Sequence, residues 1–337
     1  MCFPTHPFPA SDQLFPRHDQ VLSYLCSYAT DLLPMIHLNT HVVSVTPASP
    51  GWTVTTVSPP SAPKTAHYDA IVVATGHYNT PHIPDIPGLT SFPAKLTHSR
   101  NFRRAEDHTG ETVLLIGNSA SAVDIAVQLL PVVKKLHQVI LTAGPVPPPA
   151  EIVVHLGISR FLPTGEVEFV DGSRISGVDT VLFATGYLYT LPFLPLPLAK
   201  GEKVSGLFEH VFYAADPTLA FVGLATRVIP FPLVQSQGVW IAGVFSGRLQ
   251  LPGNMPVEEK GHFFGFPKDY EYMRLMEGYC GDGGGMQPAR WREWECWVRK
   301  RTVEIKQAFG EAKKRGLVAR DMEELGFVYG PEERGKL

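Results

Sequence analysis

Apolar and polar residues alternate along this chain in blocks that switch between helical and strand periods. From Asp19 to Leu33, Val21, Leu22, Leu25, Tyr28, Ala29 and Leu32 recur at helical spacing and predict an amphipathic helix. Ile36-His-Leu-Asn39, Val42-Val-Ser-Val45 and Trp52-Thr-Val-Thr-Thr-Val57 are short and rich in β-branched residues, so they predict a β-meander bounded by proline and glycine. Tyr68-Asp-Ala-Ile-Val-Val-Ala74 is a nearly continuous apolar run, the pattern of a strand buried on both faces. After it, Pro81, Pro84 and Pro87 enforce an extended connection from His77 to Gly88.

A second unit starts at Thr112. Val113-Leu-Leu-Ile116 predicts a buried strand, Gly117 to Ala120 a tight turn, and Ser121 to Leu130 a helix with Ala122, Ile125, Ala126 and Leu129 on one face. Val139-Ile-Leu-Thr142 is expected as the next parallel strand and Gly144 to Pro149 as a proline-rich linker. Asp171-Gly172 predicts the turn of a hairpin over Gly165 to Ile175. Asp179-Thr-Val-Leu-Phe-Ala184 predicts another buried strand. Arg290 to Lys314, with Trp291, Trp294, Trp297, Val298, Ile305 and Phe309 among many charges, predicts one long amphipathic helix. The alternation of strands and helices defines an α/β class with a parallel sheet.

Composition narrows the function classes. The length of 337 residues predicts about two domains. With 29 Lys+Arg against 32 Asp+Glu, a net charge of -3 leaves no electrostatic footprint for nucleic acid or an anionic membrane, so a small-molecule ligand is expected. No apolar run approaches the ~20 residues of a membrane span, and the first residues lack the pattern of a signal peptide, which predicts a cytoplasmic protein. Cys2, Cys26, Cys280 and Cys296 are scattered, without the spacing of a redox pair or a zinc site.

Candidate chemistry gathers at strand ends. In Val113-Leu-Leu-Ile-Gly-Asn-Ser-Ala-Ser-Ala-Val-Asp124, a glycine ends a buried strand, small residues follow, and a helix N-terminus supplies N–H donors. Gly117, Asn118, Ser119, Ala120, Ser121 and Ala122 are therefore candidates for holding a dinucleotide pyrophosphate. Ser119 and Ala122 stand where the Gly-x-Gly-x-x-Gly pattern has its second and third glycines, and both are small. Leu141-Thr-Ala-Gly144 offers no acidic residue for a ribose diol, which favours NADP over NAD. Lys134 and Lys135 read as a solvated pair at a helix end. Two strands end in Ala-Thr-Gly, at Ala74-Thr75-Gly76 and at Ala184-Thr185-Gly186, and two copies mark the crossings between two nested domains.

At this point the chain resembles the flavin-containing monooxygenases. Phe92-Pro-Ala-Lys-Leu-Thr-His-Ser-Arg-Asn-Phe102 looks like their identifying motif, Phe-x-Gly-x-x-x-His-x-x-x-(Phe/Tyr), with Ala94 in place of the glycine. Phe15 to Tyr28, Gly117 to Asp124, Phe183 to Tyr187, Asp216 to Leu224 and Pro230 to Gln235 resemble further family segments in the same order. The resemblance implies two nested Rossmann-like, FAD/NAD(P)-binding domains. A discontinuous flavin domain over 1–90 and 186–252 would carry an inserted NADPH domain over 91–185 and a helical extension over 253–337. It implies FAD and NADPH as cofactors and a C4a-hydroperoxyflavin that gives one oxygen of O2 to the nitrogen or sulfur of an amine, thiol or thioether. Phe102-Arg103 replaces the tryptophan that ends the motif in the ketone-oxidising relatives. The protein's part is binding and exclusion of water, and no side-chain nucleophile is implied.

Thr75, Gly76 and Asn79, with Gln235 on the returning helix, are the expected flavin-facing residues, against ordinary turn and cap roles. Thr185 and Gly186 form the return crossing. His98 either organises the loop near the nicotinamide or is a packed or capping histidine. Met1 to Phe15 holds Pro4, Pro7 and Pro9 and no glycine, too little for the family's opening βαβ unit of about 30 residues. The expectation is that the family's first ~70 to 80 residues are missing and the flavin domain is incomplete. A non-catalytic nucleotide-binding remnant is the alternative to a monooxygenase. The oligomeric state stays open.

Overall fold

The computed structural model describes residues 2–142, 147–199, 201–257, 261–281 and 286–333. Part of the expected linker from Gly144 to Pro149 lies outside them. The chain divides into two compact units, His77–Thr190 and the remainder.

The remainder opens with helix α1 (His18–Tyr28) and strands β1 (His41–Pro47), β2 (Trp52–Val57), β3 (Lys64–Tyr68) and β4 (Ile71–Val73). The helix expected to reach Leu33 stops earlier and tightens into a 3-10 turn over Thr30–Met35. Pro34 accounts for the change, because its ring excludes an α-helical bond to residue 30 and biases Leu33 away from the α region. Ile36 to Asn39 forms no strand. Leu22, Leu33, Met35 and Leu38 are exposed, so the apolar stripe is only partly covered. β1, β2 and β3 form the expected antiparallel meander.

The apolar run from Tyr68 to Ala74 is split between two sheets. Tyr68 pairs with Trp52 in the meander, whereas Ile71 to Val73 run parallel to the much later strand Leu219–Phe221. At this break the buried Trp52 indole donates its Nε1–H to Thr218 Oγ1 at 2.8 Å, and the Ile71 N–H donates to Thr218 O at 2.8 Å, so Thr218 holds both sides of it. β4 lies at the edge of its sheet, and Val72 keeps 45% of its surface exposed.

The middle unit contains β5 (Thr80–Pro81), β6 (Lys95–His98), β7 (Thr112–Ile116), α2 (Ala120–Leu129), β8 (Lys135–Val139), β9 (Val153–His155), β10 (Ile158–Phe161), β11 (Val167–Phe169), β12 (Arg174–Ile175), β13 (Thr180–Phe183) and β14 (Tyr187–Leu188). Its main sheet is all parallel, in the order β6-β13-β7-β8-β9. Alternate residues serve opposite faces of it. Val113, Leu115 and Leu182 pack under Ala122, Ile125, Ala126 and Leu129 of α2. Leu114, Ile116, Val181 and Phe183 pack on Phe161, Val167 and Phe169 of the small β10-β11-β12 sheet. The hairpin turns at Gly172, φ +81°, as the Asp-Gly pair predicts.

β8 occupies residues 135–139 and not the expected 139–142, because its parallel pairing with β7 sets Thr112 opposite Lys135 and Ile116 opposite Val139. Lys135 therefore opens a strand, and Lys134 donates its backbone N–H to Glu111 O; neither sits on a helix end.

The chain then returns through β15 (Leu207–Phe208), β16 (Phe212–Tyr213), β17 (Leu219–Phe221), α3 (Pro230–Phe245), α4 (Lys268–Cys280), α5 (Glu293–Lys300) and α6 (Thr302–Lys314). The sheet β15-β16-β17-β4 packs with α3 and α4 around Phe208, Phe212, Trp240, Tyr272 and Met276. The helix expected over Arg290 to Lys314 is two helices broken at Arg301. There the Thr302 hydroxyl donates to the carbonyls of Val298 and Arg299 and competes with helix continuation. Among the described residues no helix is long and apolar enough to cross a membrane.

Candidate functional site

The glycine corner of the middle unit is built by three strands. Gly117 follows β7 with φ +124°, and its N–H donates to Val139 O at 3.0 Å. A β-carbon here would lie 2.5 Å from the Ala184 carbonyl, so the corner admits only glycine. The turn through Asn118 then starts α2 at Ser119, the N-cap, whose side chain caps nothing. The N-cap side chain thus gives the first-turn N–H groups of α2 no acceptor, at the positive end of the helix dipole. Ser119, Ala120 and Ser121 are exposed there, and buried Ala122 allows the helix to sit close on the sheet. This is the stereochemistry that an anionic pyrophosphate requires.

Beside this corner stands the second crossing. Thr185 and Gly186 follow β13, and the Thr185 hydroxyl donates to the His82 carbonyl. Gly186 O accepts the His82 N–H at 2.9 Å and the His98 Nε2–H at 3.0 Å. His98 Nδ1 accepts the Arg100 N–H at 3.1 Å, which fixes the ring as the neutral Nε2–H tautomer. Burial holds the His98 pKa below its ordinary value, against an opposing pull from its bond to Gly186. Asn79 Oδ1 accepts from Arg100 Nη2 at 2.8 Å. The identifying motif thus ties together residues 79, 82, 98, 100 and 186. Arg100 is a member that sequence reasoning passed over, although it lies inside the motif.

Thr75 and Gly76 follow β4 and are exposed. On α3 of the same unit, Gln235 is buried; its Nε2 donates to Gln287 O at 3.4 Å, and its Oε1 has no partner among the described residues. Gln237, one residue beyond Ser236, instead accepts the Gly223 N–H at 2.9 Å and donates to Tyr272 at 3.0 Å. A buried acceptor left over on the first turns of a helix is compatible with a polar ring system such as a flavin.

A parallel sheet with a glycine corner at the start of a helix defines an α/β protein of the Rossmann-like class. The comparisons with known proteins give the family. The model described as "Flavin-binding monooxygenase-like" matches residues 1–145 and 150–260. An Arabidopsis thaliana flavin-containing monooxygenase, FMO GS-OX-like 3, is 34% identical over 319 residues, which cover 84% of this chain and 69% of that protein. FMO GS-OX-like 4 of the same plant is 38% identical over 254 residues, covering 71% of this chain and 56% of that protein. The S-allyl-L-cysteine S-oxygenase of Allium sativum superposes with a TM-score of 0.79 at 29% identity, over 97% of this chain and 80% of that structure. The chain belongs to the flavin-containing monooxygenase family, flavin-dependent oxidoreductases whose cofactors are FAD and NADPH.

Proposed function

We propose that this chain oxygenates the sulfur of a small thioether: thioether, O2, NADPH and a proton give sulfoxide, water and NADP+. The likeness to the S-allyl-L-cysteine S-oxygenase, over 97% of the chain, carries this reading and favours sulfur over nitrogen. Phe102-Arg103 at the end of the identifying motif supports it over ketone oxidation.

The residues fit the two cofactors in separate places. Gly117 to Ala122 would hold the NADPH pyrophosphate through the uncapped first turn of α2. Thr75, Gly76 and Gln235 would face FAD, with Gln235 Oε1 the acceptor left for it. When bound, FAD reduced by NADPH supplies the activation of O2. His98 holds the return crossing at Gly186 and, with Arg100, orders Asn79. These side chains position and enclose; none is placed as a nucleophile.

The test is the purified chain supplied with FAD and NADPH and offered S-allyl-cysteine, an aliphatic amine or a cyclic ketone. Sulfoxide formed with equal consumption of NADPH and O2 is the expected result. Oxygenation of the amine or the ketone alone overturns the sulfur assignment. A protein that takes up NADP+ but no flavin establishes the non-catalytic alternative.

A further inference from the structure

Beneath the glycine corner lies a polar side chain in an otherwise apolar position. Gln138 on β8 faces the α2 side of the sheet, two residues after Leu136 of that core and opposite Leu115. It is 1% exposed. Its Nε2 donates to Gly117 O at 2.9 Å, and its Oε1 has no partner among the described residues.

We propose that Gln138 is the positioning residue of the NADPH loop, setting the plane of the Gly117–Asn118 peptide; this rests on the assignment of that loop to NADPH above. In a trans peptide the C=O and N–H point in opposite directions. Gln138 draws the Gly117 carbonyl down toward the sheet, so the Asn118 N–H points out of the corner, toward the space in front of α2 where a pyrophosphate oxygen would sit. Gly117 has no side chain to restrict its rotation, so without the amide this peptide is held by less. The fold gains little from the amide. One hydrogen bond offsets the burial of a group with two polar ends, and an apolar residue of the same shape would suit the α2 core better. The selective value of the glutamine is therefore in the loop it orients.

The experiment measures NADP+ binding by calorimetry, and melting without nucleotide, for the full chain, Gln138→Met and Gln138→Glu. The wild-type chain binds NADP+, Gln138→Met melts no lower, and its affinity falls by about tenfold, the worth of one well-placed hydrogen bond. Gln138→Glu binds weakly at alkaline pH and recovers relative to wild type as the pH falls, since only the protonated carboxyl can donate to Gly117 O. Affinity of Gln138→Met within about twofold of wild type overturns the proposal. If Gln138→Met does not fold, a ratio of Gln138→Glu to wild-type affinity that is constant with pH overturns it. No NADP+ binding by the wild-type chain overturns the loop assignment and this inference with it.

Discussion

His98 and Gly186, 88 residues apart in sequence, are joined by a 3.0 Å hydrogen bond from Nε2–H to the backbone carbonyl. The same ring accepts the Arg100 N–H, so one imidazole couples the end of β6 to the start of β14. His98→Ala removes both bonds from a buried position and is expected to cost about 1–3 kcal/mol. Urea unfolding would show that loss, and kcat/KM should fall further for NADPH than for the sulfur substrate.

The pH dependence of stability follows from the histidines. Burial and the neighbouring His155 push His137 down to about 4, and burial also lowers His98 and His155. Each is neutral in the folded chain at pH values where the unfolded chain, near 6.5, already takes up a proton. Stability is therefore full above pH 6.5 and declines as the pH falls toward 4. His137→Leu, which removes the bond of 2.9 Å to His155, should flatten that decline in melting curves collected across the window.

Gly117→Ala tests the corner. A left-handed φ and a β-carbon 2.5 Å from Ala184 O both oppose the new side chain. We expect a loss of roughly 1–3 kcal/mol and weaker NADP+ binding. Ser119→Gly, which keeps the N-cap backbone and removes a hydroxyl that caps nothing, should melt within about 0.5 kcal/mol of wild type.

Gln235→Leu replaces a half-satisfied buried amide and should leave melting unchanged or raise it. Flavin affinity, read from the absorbance retained per chain after gel filtration, is expected to fall by about tenfold. Unchanged flavin content would remove Gln235 from the flavin site.

Asp269, 1% exposed at the start of α4, meets Arg299 Nε at 2.5 Å. Asp269→Ala strands a largely buried guanidinium and should cost about 3–5 kcal/mol. The double variant Asp269→Leu with Arg299→Met should recover most of that loss in chemical denaturation.

The parts of this molecule that local chemistry dictates were legible. Gly117 after a run of buried aliphatics, small residues before the Ile125–Ala126 stripe, and Asp171-Gly172 between alternating residues each allow few backbone solutions. What escaped was set by partners distant in sequence. The run Tyr68 to Ala74 is divided by pairing to Trp52 on one side and β17 on the other, which periodicity alone does not contain. β8 slides four residues earlier than its apolar content suggests because Thr112 sets its register, leaving Leu141 exposed. In α4, Tyr272, Met273, Met276 and Cys280 form a buried stripe at helical spacing that charged neighbours obscured.

The same logic applied to candidate residues. Asn79, His98 and Gly186 are brought into one network through Arg100, which the separate expectations for these residues did not contain, while the role of Gln138 depends on a backbone carbonyl on another strand. A lone glutamine within Leu-His-Gln-Val was the available signal, visible as polarity where alternation calls for an apolar residue.

Among the described residues β4 pairs on one flank only, and its open flank is expected to govern how this chain behaves in the tube. A strand whose N–H and C=O groups pair on one side only is a template for any other strand, including that of a second molecule. With Val72 uncovered beside it and Leu22, Leu33, Met35 and Leu38 also exposed, concentrated solutions should scatter light increasingly with time. Val72→Lys places a charge on that flank, and the concentration at which turbidity begins should rise accordingly.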